Sequence, residues 1–284
     1  MASSDTARFY QSHDGLRLFY RDFSPAKVGT PVICLPGLTR NSRDFEDLAR
    51  HLSERRRVLT PDLRGRGLSQ HDPDWRNYHP GTYVKDVLRL LDLLGIERTV
   101  VIGTSLGGLI AMAIALLNPK RLHGAVLNDV GPEIAPEGLA RIEKYTGRLP
   151  PVANWDEAIA QTREIYGATL PGLTNDDWRR MARRAYREGD NGTPRLDIDP
   201  NIGEAVRTVG PQTVDPWQAF DALRETSLLV LRGAMSDILS EATLSRMQER
   251  NPNLIAVTVP NRGHVPLLNE PAAISAIDTF LRSL

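Results

Sequence analysis

The stretch Val100–Met112, VVIGTSLGGLIAM, decides the reading of this chain. Val100, Val101 and Ile102 suit a buried β-strand, and LIAM after the glycines suits a helix. Between them stands Gly103-Thr104-Ser105-Leu106-Gly107, which fits the pattern G-x-S-x-G. A serine at a sharp strand-to-helix turn needs small neighbours, because its own backbone is strained and larger residues would clash. The helix that begins behind it offers free N–H groups and a positive dipole end. Gly-x-Ser-x-Gly arises by chance in roughly one chain in ten of this length. Its place between a strand and a helix is what gives it weight. No lysine follows the glycines, so a phosphate-binding P-loop is disfavoured.

Apolar runs and amphipathic stretches alternate outward from this turn. Strands are expected at RLFYRDF (17–23), PVICLPG (31–37), RRVLT (56–60), RTVVIG (98–103), GAVLND (124–129), SLLVLRG (227–233) and LIAVTVP (254–260). Helices are expected at 43–55, 82–95, 106–118, 240–250 and 270–284. Such alternation describes a mostly parallel sheet covered on both faces by helices. From Gly131 to about Val214 the rhythm stops. That segment carries helical patterns, EGLARIEKYTG, NWDEAIAQTREIYG and NDDWRRMARRAYRE, and no apolar run of strand type. It reads as a helical insertion.

A serine nucleophile needs a base, and the base needs an orienting acid. Six histidines are present. Only His264 lies well after Ser105 and beyond a late strand, in a glycine-containing loop before the last helix. His123 also follows Ser105, but it directly precedes a strand, at what should be the opposite sheet edge. Two carboxylates fit the position of the acid, each after a strand: Asp129 after GAVLND and Asp237 after SLLVLRGAMSD. Asp237 lies one strand–helix unit before His264, so it is the expected acid, with Asp129 as the alternative.

The pieces LPGLTRNSRDF (35–45), PDLRGRGLSQ (61–70), GTSLGG (103–108), LRGAMSDIL (231–239) and RGHVPLLNEP (262–271) together resemble the α/β-hydrolase-fold serine hydrolases, in the family's order. The resemblance covers nearly the whole chain apart from the insertion. It implies a core of residues 1–130 and 215–284 and a helical cap over 131–214. It implies Ser105 as nucleophile, His264 as base and Asp237 as acid. The oxyanion hole it implies is the N–H of Leu106 and the N–H of Leu38, where Pro36-Gly37 replaces the family's common His-Gly. It implies no metal or organic cofactor. The expected activity is hydrolysis of a small or medium ester, lactone or related acyl compound. C–C bond hydrolysis, acyl transfer or a ligand receptor that kept the triad are the alternatives.

Other features are read as structural. Asp62 and Arg64 of DLRGRGLS are expected to tie loops together. Arg179, Arg180, Arg183, Arg184 and Arg187 are expected to form a solvated charged face rather than an anion site. Tyr145, Trp155, Tyr166, Trp178 and Tyr186 lie in the insertion, and one or two are expected to reach the substrate pocket.

Lysine plus arginine equals aspartate plus glutamate at 35 each, and mean hydropathy is −0.31. Nothing in this balance favours nucleic acid or an anionic membrane. The longest apolar run, LIAMAIALL, is too short to span a bilayer. MASSDTARFY carries no apolar leader core, and the single cysteine, Cys34, can form no internal disulfide. A cytoplasmic protein acting on a small molecule, with no nucleic-acid or membrane partner, is the expectation.

Overall fold

The computed structural model describes residues 5–23, 29–208 and 215–284. The first residues of MASSDTARFY and the expected cap boundary at 214 lie outside the described residues.

The strands in chain order are β1 (Thr6–Gln11), β2 (Arg17–Phe23), β3 (Val32–Leu35), β4 (Val58–Pro61), β5 (Thr99–Thr104), β6 (Leu122–Asn128), β7 (Tyr186–Glu188), β8 (Pro194–Leu196), β9 (Ser227–Gly233) and β10 (Ile255–Val259). Eight form one sheet in the order β1-β2-β4-β3-β5-β6-β9-β10. The β1–β2 and β2–β4 pairs are antiparallel, and every other pair is parallel. The helices are α1 (Glu46–Ser53), α2 (Pro80–Leu93), α3 (Leu106–Leu117), α4 (Pro136–Tyr145), α5 (Trp155–Tyr166), α6 (Asn175–Ala185), α7 (Ile202–Thr208), α8 (Pro216–Asp221), α9 (Glu241–Arg250) and α10 (Pro271–Arg282).

The two-residue period of the strands sorts their side chains into two cores. Ile33, Leu35, Leu59, Val101, Leu127 and Val230 face α2 and α3 with Val84, Val87, Leu91, Ile110 and Ile114. Their neighbours Val32, Cys34, Val58, Val100, Ile102 and Leu231 face the other way, onto Leu48 and Leu52 of α1 and Ile277 and Phe280 of α10. Cys34 is fully buried there, and burial pushes its thiol well above the usual range. Among the described residues no helix is long and apolar enough to cross a membrane.

Two differences from the sequence reading stand out. TARFYQ forms an edge strand, β1, although most of it is exposed. It is held by pairing to β2 and by Phe9 packing edge-on against Phe19, not by burial of its own. The insertion between β6 and β9 is mainly helical but contains the antiparallel hairpin β7–β8, each strand only three residues long. Strands so short leave no apolar run to read.

The motif DLRGRGLS is structural. The Asp62 carboxylate accepts from the backbone N–H groups of Ser42 (2.7 Å) and Leu68 (2.9 Å), joining two loops. Arg64 is fully buried and donates to Asp86 (2.7 and 2.6 Å), Asp72 (2.6 Å) and Asp14 (2.8 and 3.1 Å). His13, Asp14 and Asp86 lie close enough together to hold a cation, and the Arg64 guanidinium already neutralises two of the three.

Arg64→Met removes one charge and strands the buried Asp72 and Asp86, a change that costs about 3–5 kcal/mol when a buried pair is broken. Burial already raises the Asp86 carboxyl, against the pull of Arg64. Without Arg64 it rises further, and a carboxyl raised in the folded state destabilises above its unfolded value and is relieved as pH falls. The stability deficit of Arg64→Met against the parent, measured by thermal denaturation, is therefore expected to be smaller at pH 5 than at pH 8.

Candidate active site

β5 runs directly into α3, and Ser105 is the hinge between them, with φ 50° and ψ −111°. This is the left-handed region that a non-glycine residue occupies only under constraint. The turn closes because two neighbours lack a side chain. A Cβ on Gly103 would overlap the backbone of Gly107, and a Cβ on Gly107 would overlap the Leu35 carbonyl on the adjacent β3. The Ser105 N–H donates to the carbonyl of Asn128 at the end of β6 (3.0 Å).

The Ser105 hydroxyl lies 3.0 Å from His264 Nε2, and His264 Nδ1 lies 2.8 Å from Asp129 Oδ2. With Nδ1 protonated, Nε2 is free to accept the serine proton. Asp129 is buried, with φ 58°. Its carboxylate also accepts from the Gly233 N–H (2.7 Å) and the Ser236 hydroxyl (2.7 Å). Three donors fix both oxygens, so the imidazole meets a pre-set acceptor.

Asp237, the expected acid, makes no hydrogen bond to His264; the carboxylate that meets the imidazole is Asp129, the alternative. Asp237 is engaged side-on by Arg141 of α4, with Nε to Oδ2 at 2.6 Å and Nη2 to Oδ1 at 2.9 Å. Burial alone would raise its carboxyl, and the Arg141 hydrogen bonds and charge outweigh burial and hold it below the usual range. The turn after β9 does meet the Asp129 carboxylate, but through Ser236, one residue earlier. Ser236 was not singled out from the sequence. Nor was Asn128, whose amide donates to the Pro266 carbonyl (2.9 Å) and to Thr104 Oγ1 (3.1 Å), tying the histidine loop to the serine turn. Its place at the end of a strand, directly before a carboxylate, was the one available signal.

The loop after β3 brings the expected second oxyanion donor close. A Cβ on Gly37 would lie 3.8 Å from that of Ser105, and Leu38 follows Gly37. Leu38 is held from behind: the fully buried Arg66 donates from Nε to its carbonyl (2.9 Å) and from Nη1 to Tyr83 Oη (3.0 Å). Leu106 opens α3, directly after the serine.

The insertion covers this edge. Arg184 pairs with Asp47 (2.7 Å), Arg43 pairs with Asp197, and the Gly263 N–H beside the histidine donates to the Thr169 carbonyl (2.6 Å). Tyr145, Tyr166 and Tyr186 line a cavity with Thr39, Arg40 and Ile198. Burial pushes the Tyr186 hydroxyl up to about 12. Trp155 instead packs an apolar cluster of the insertion, and Trp178 packs one that also takes in Leu267 of the histidine loop. Arg179 and Arg180 pair with Asp176 and Asp177 of their own helix and Arg183 lies over the Trp155 ring, so this part of the arginine stripe is a solvated face, while Arg184 reaches off the helix to Asp47 and Arg187, on β7, pairs with Asp197.

Residues 30–271 match the model of the alpha/beta hydrolase fold family. A 3-hydroxybutyrate-oligomer hydrolase of Cupriavidus necator is 33% identical over 99% of both chains. A 2-(acetamidomethylene)succinate hydrolase of Mesorhizobium japonicum is 26% identical over 89% of this chain and 88% of its own. Among solved structures, an alpha/beta hydrolase from Novosphingobium aromaticivorans superposes with a TM-score of 0.94 at 46% identity, over the full length of both chains. With its serine at a strand–helix turn, its late histidine and this match over most of its length, the chain belongs to the alpha/beta hydrolase family.

Proposed function

We propose that the protein is a serine ester hydrolase for small or medium acyl compounds, working by two-step acyl transfer. The observation that carries this reading is the unbroken relay from Ser105 through His264 to Asp129, with spacings of 3.0 and 2.8 Å. His264 Nε2 takes the Ser105 proton as Oγ attacks the ester carbonyl. The oxyanion that forms is stabilised by the N–H groups of Leu38 and Leu106; one such donor is commonly worth about 3 kcal/mol. The alcohol leaves with the proton from His264, and an acyl-serine remains. Water then attacks the acyl carbonyl, giving its proton to His264, and the acid is released as the proton returns to Ser105. The curated relative in Cupriavidus necator supports this reading, because oligomers of a hydroxy acid are joined by ester bonds.

The insertion serves as a cap that limits what enters. Tyr145, Tyr166 and Tyr186 fill the space beside Thr39 and Arg40 so closely that only a small cavity is left among them, and a cover packed in this way favours compact acyl groups over long lipid chains,.

Labelling with a fluorophosphonate tests the nucleophile. The folded parent is expected to be labelled at Ser105, while Ser105→Ala and the heat-denatured parent stay unlabelled. A labelled protein that turns over no member of an ester panel would be a receptor that retains the triad. An unlabelled one would end the reading.

The acid is tested by kinetics on a p-nitrophenyl ester. Asp129→Asn is expected to lower kcat by about 10⁴, because the imidazole loses both its tautomer and its counter-charge. Asp237→Asn is expected to cost at least a hundredfold less. The opposite ranking would restore Asp237 as the acid.

A chain-length series of p-nitrophenyl esters checks the cap. The parent is expected to prefer short and medium chains, and Tyr166→Ala to shift the preference towards longer ones. A profile unmoved by replacing any of the three tyrosines would remove the cap from specificity.

A further inference from the structure

Arg141 does more than hold Asp237. Its Nε and Nη2 edge is taken up by that carboxylate, yet its Nη1 is buried and has no hydrogen-bond partner among the described residues. A buried cationic N–H left without an acceptor is expensive, so such a group in a native protein calls for an explanation. Its surroundings point to a ligand. Tyr145, one helical turn after Arg141 on α4, lines the cavity with Tyr166, and both rings lie within electrostatic reach of the guanidinium. Arg40, which also lines the cavity, is clamped in the same side-on manner by Asp44 (2.7 and 2.6 Å) and lies over the Tyr166 ring. Arg40 Cγ would sit 3.7 Å from a Cβ on Gly37, the residue facing Ser105. On the other side, Asp237 follows Ser236, which binds the triad acid. The guanidinium is thus flanked on one side by Asp237, which lies within electrostatic reach of His264, and on the other by two tyrosines of the cavity wall.

We propose that Arg141 Nη1 receives a carboxylate of the substrate, so that the preferred compounds are esters whose alcohol part carries a free carboxylate a few bonds from the scissile carbonyl. This rests on the ester-hydrolase reading above and narrows it to anionic hydroxy-acid esters. Asp237 orients Arg141 and also balances its charge, so it moderates the affinity it helps to create. The carboxylate contact lies away from the reacting atoms. It is made equally before and in the transition state, and its loss is expected in KM more than in kcat.

The test compares the 3-hydroxybutyrate dimer with its terminal carboxamide, a neutral compound of the same shape, following acid release by chromatography. The parent is expected to show kcat/KM at least tenfold higher for the carboxylate. In Arg141→Met that ratio is expected to fall at least tenfold, mainly through KM. In Asp237→Asn it is expected to rise, because the guanidinium loses its counter-charge. Opposite shifts from two members of one pair are not produced by a common structural lesion. Should Arg141→Met fail to fold, Arg141→Lys is expected to lower the ratio while Asp237→Asn raises it. A parent ratio near one, or the same ratio in the Arg141 and Asp237 variants as in the parent, would overturn the proposal. So would failure to turn over the dimer by a protein that still hydrolyses p-nitrophenyl butyrate, and that result would leave the ester-hydrolase reading standing. Loss of all ester turnover together with loss of Ser105 labelling would remove the underlying reading instead.

Discussion

The Gly233 N–H donates to the Asp129 carboxylate at 2.7 Å, and the site is assembled around that bond. It exists because β6 and β9 are parallel neighbours with Asn128 opposite Leu231. This register leaves Asp129 just past the end of one strand and beside the end of the other. The Asp129 N–H reinforces it by donating to the Leu231 carbonyl (2.8 Å). Slipping the pair by one residue would turn the carboxylate away from the histidine and reverse every side chain of β6. Sheet pairing, which is spread over many residues and many hydrogen bonds, is thus what aims the Asp129 carboxylate at the imidazole.

Much of this was legible in the chain itself, for reasons that differ from residue to residue. Ser105 was readable because its turn imposes local demands: Gly103 and Gly107 must be small within two residues of it. His264 was readable by its order in the chain, and by lying in a loop between the last strand and the last helix. The acid was not. Asp129 and Asp237 both follow strands at the same sheet edge, and strand order alone does not separate them. The separation comes from Arg141, nearly a hundred positions from Asp237 in the chain, and from the Ser236 hydroxyl, which donates to the Asp129 carboxylate. Neither contact leaves a pattern in local sequence. The hairpin β7–β8 escaped for a related reason, since its strands are held by their partners rather than by an apolar run of their own.

Polar groups dominate the support of the catalytic edge. The loop of Leu38 is braced by Arg66, the serine turn by the carbonyl of Asn128, and the histidine loop by the Asn128 amide and Thr169. Each brace is a hydrogen bond made at or near a buried polar group, although Asn128 Oδ1 and Arg66 Nη2 have no partner among the described residues. Donors fixed during folding need not be reoriented when charge develops on the substrate, which is where preorganised sites gain most of their effect. The insertion joins the core by ion pairs and hydrogen bonds around its rim, such as Arg184–Asp47, and by apolar contacts beneath it, where Ile198, Ile202 and Ala205 enter the core packed around α2 and α3.

The placement of Cys34 has a practical consequence. The chain's only thiol lies in the middle of β3, fully buried against α1 and α10, with its ionisation suppressed by burial. A thiol reagent can reach it only when the central sheet comes apart, so alkylation of Cys34 clocks global opening, much as exchange of the slowest backbone amides does. Because it stands apart from the serine relay, that clock can be read in the same sample as turnover. Loss of activity by unfolding can then be told from loss of activity by chemistry at the site.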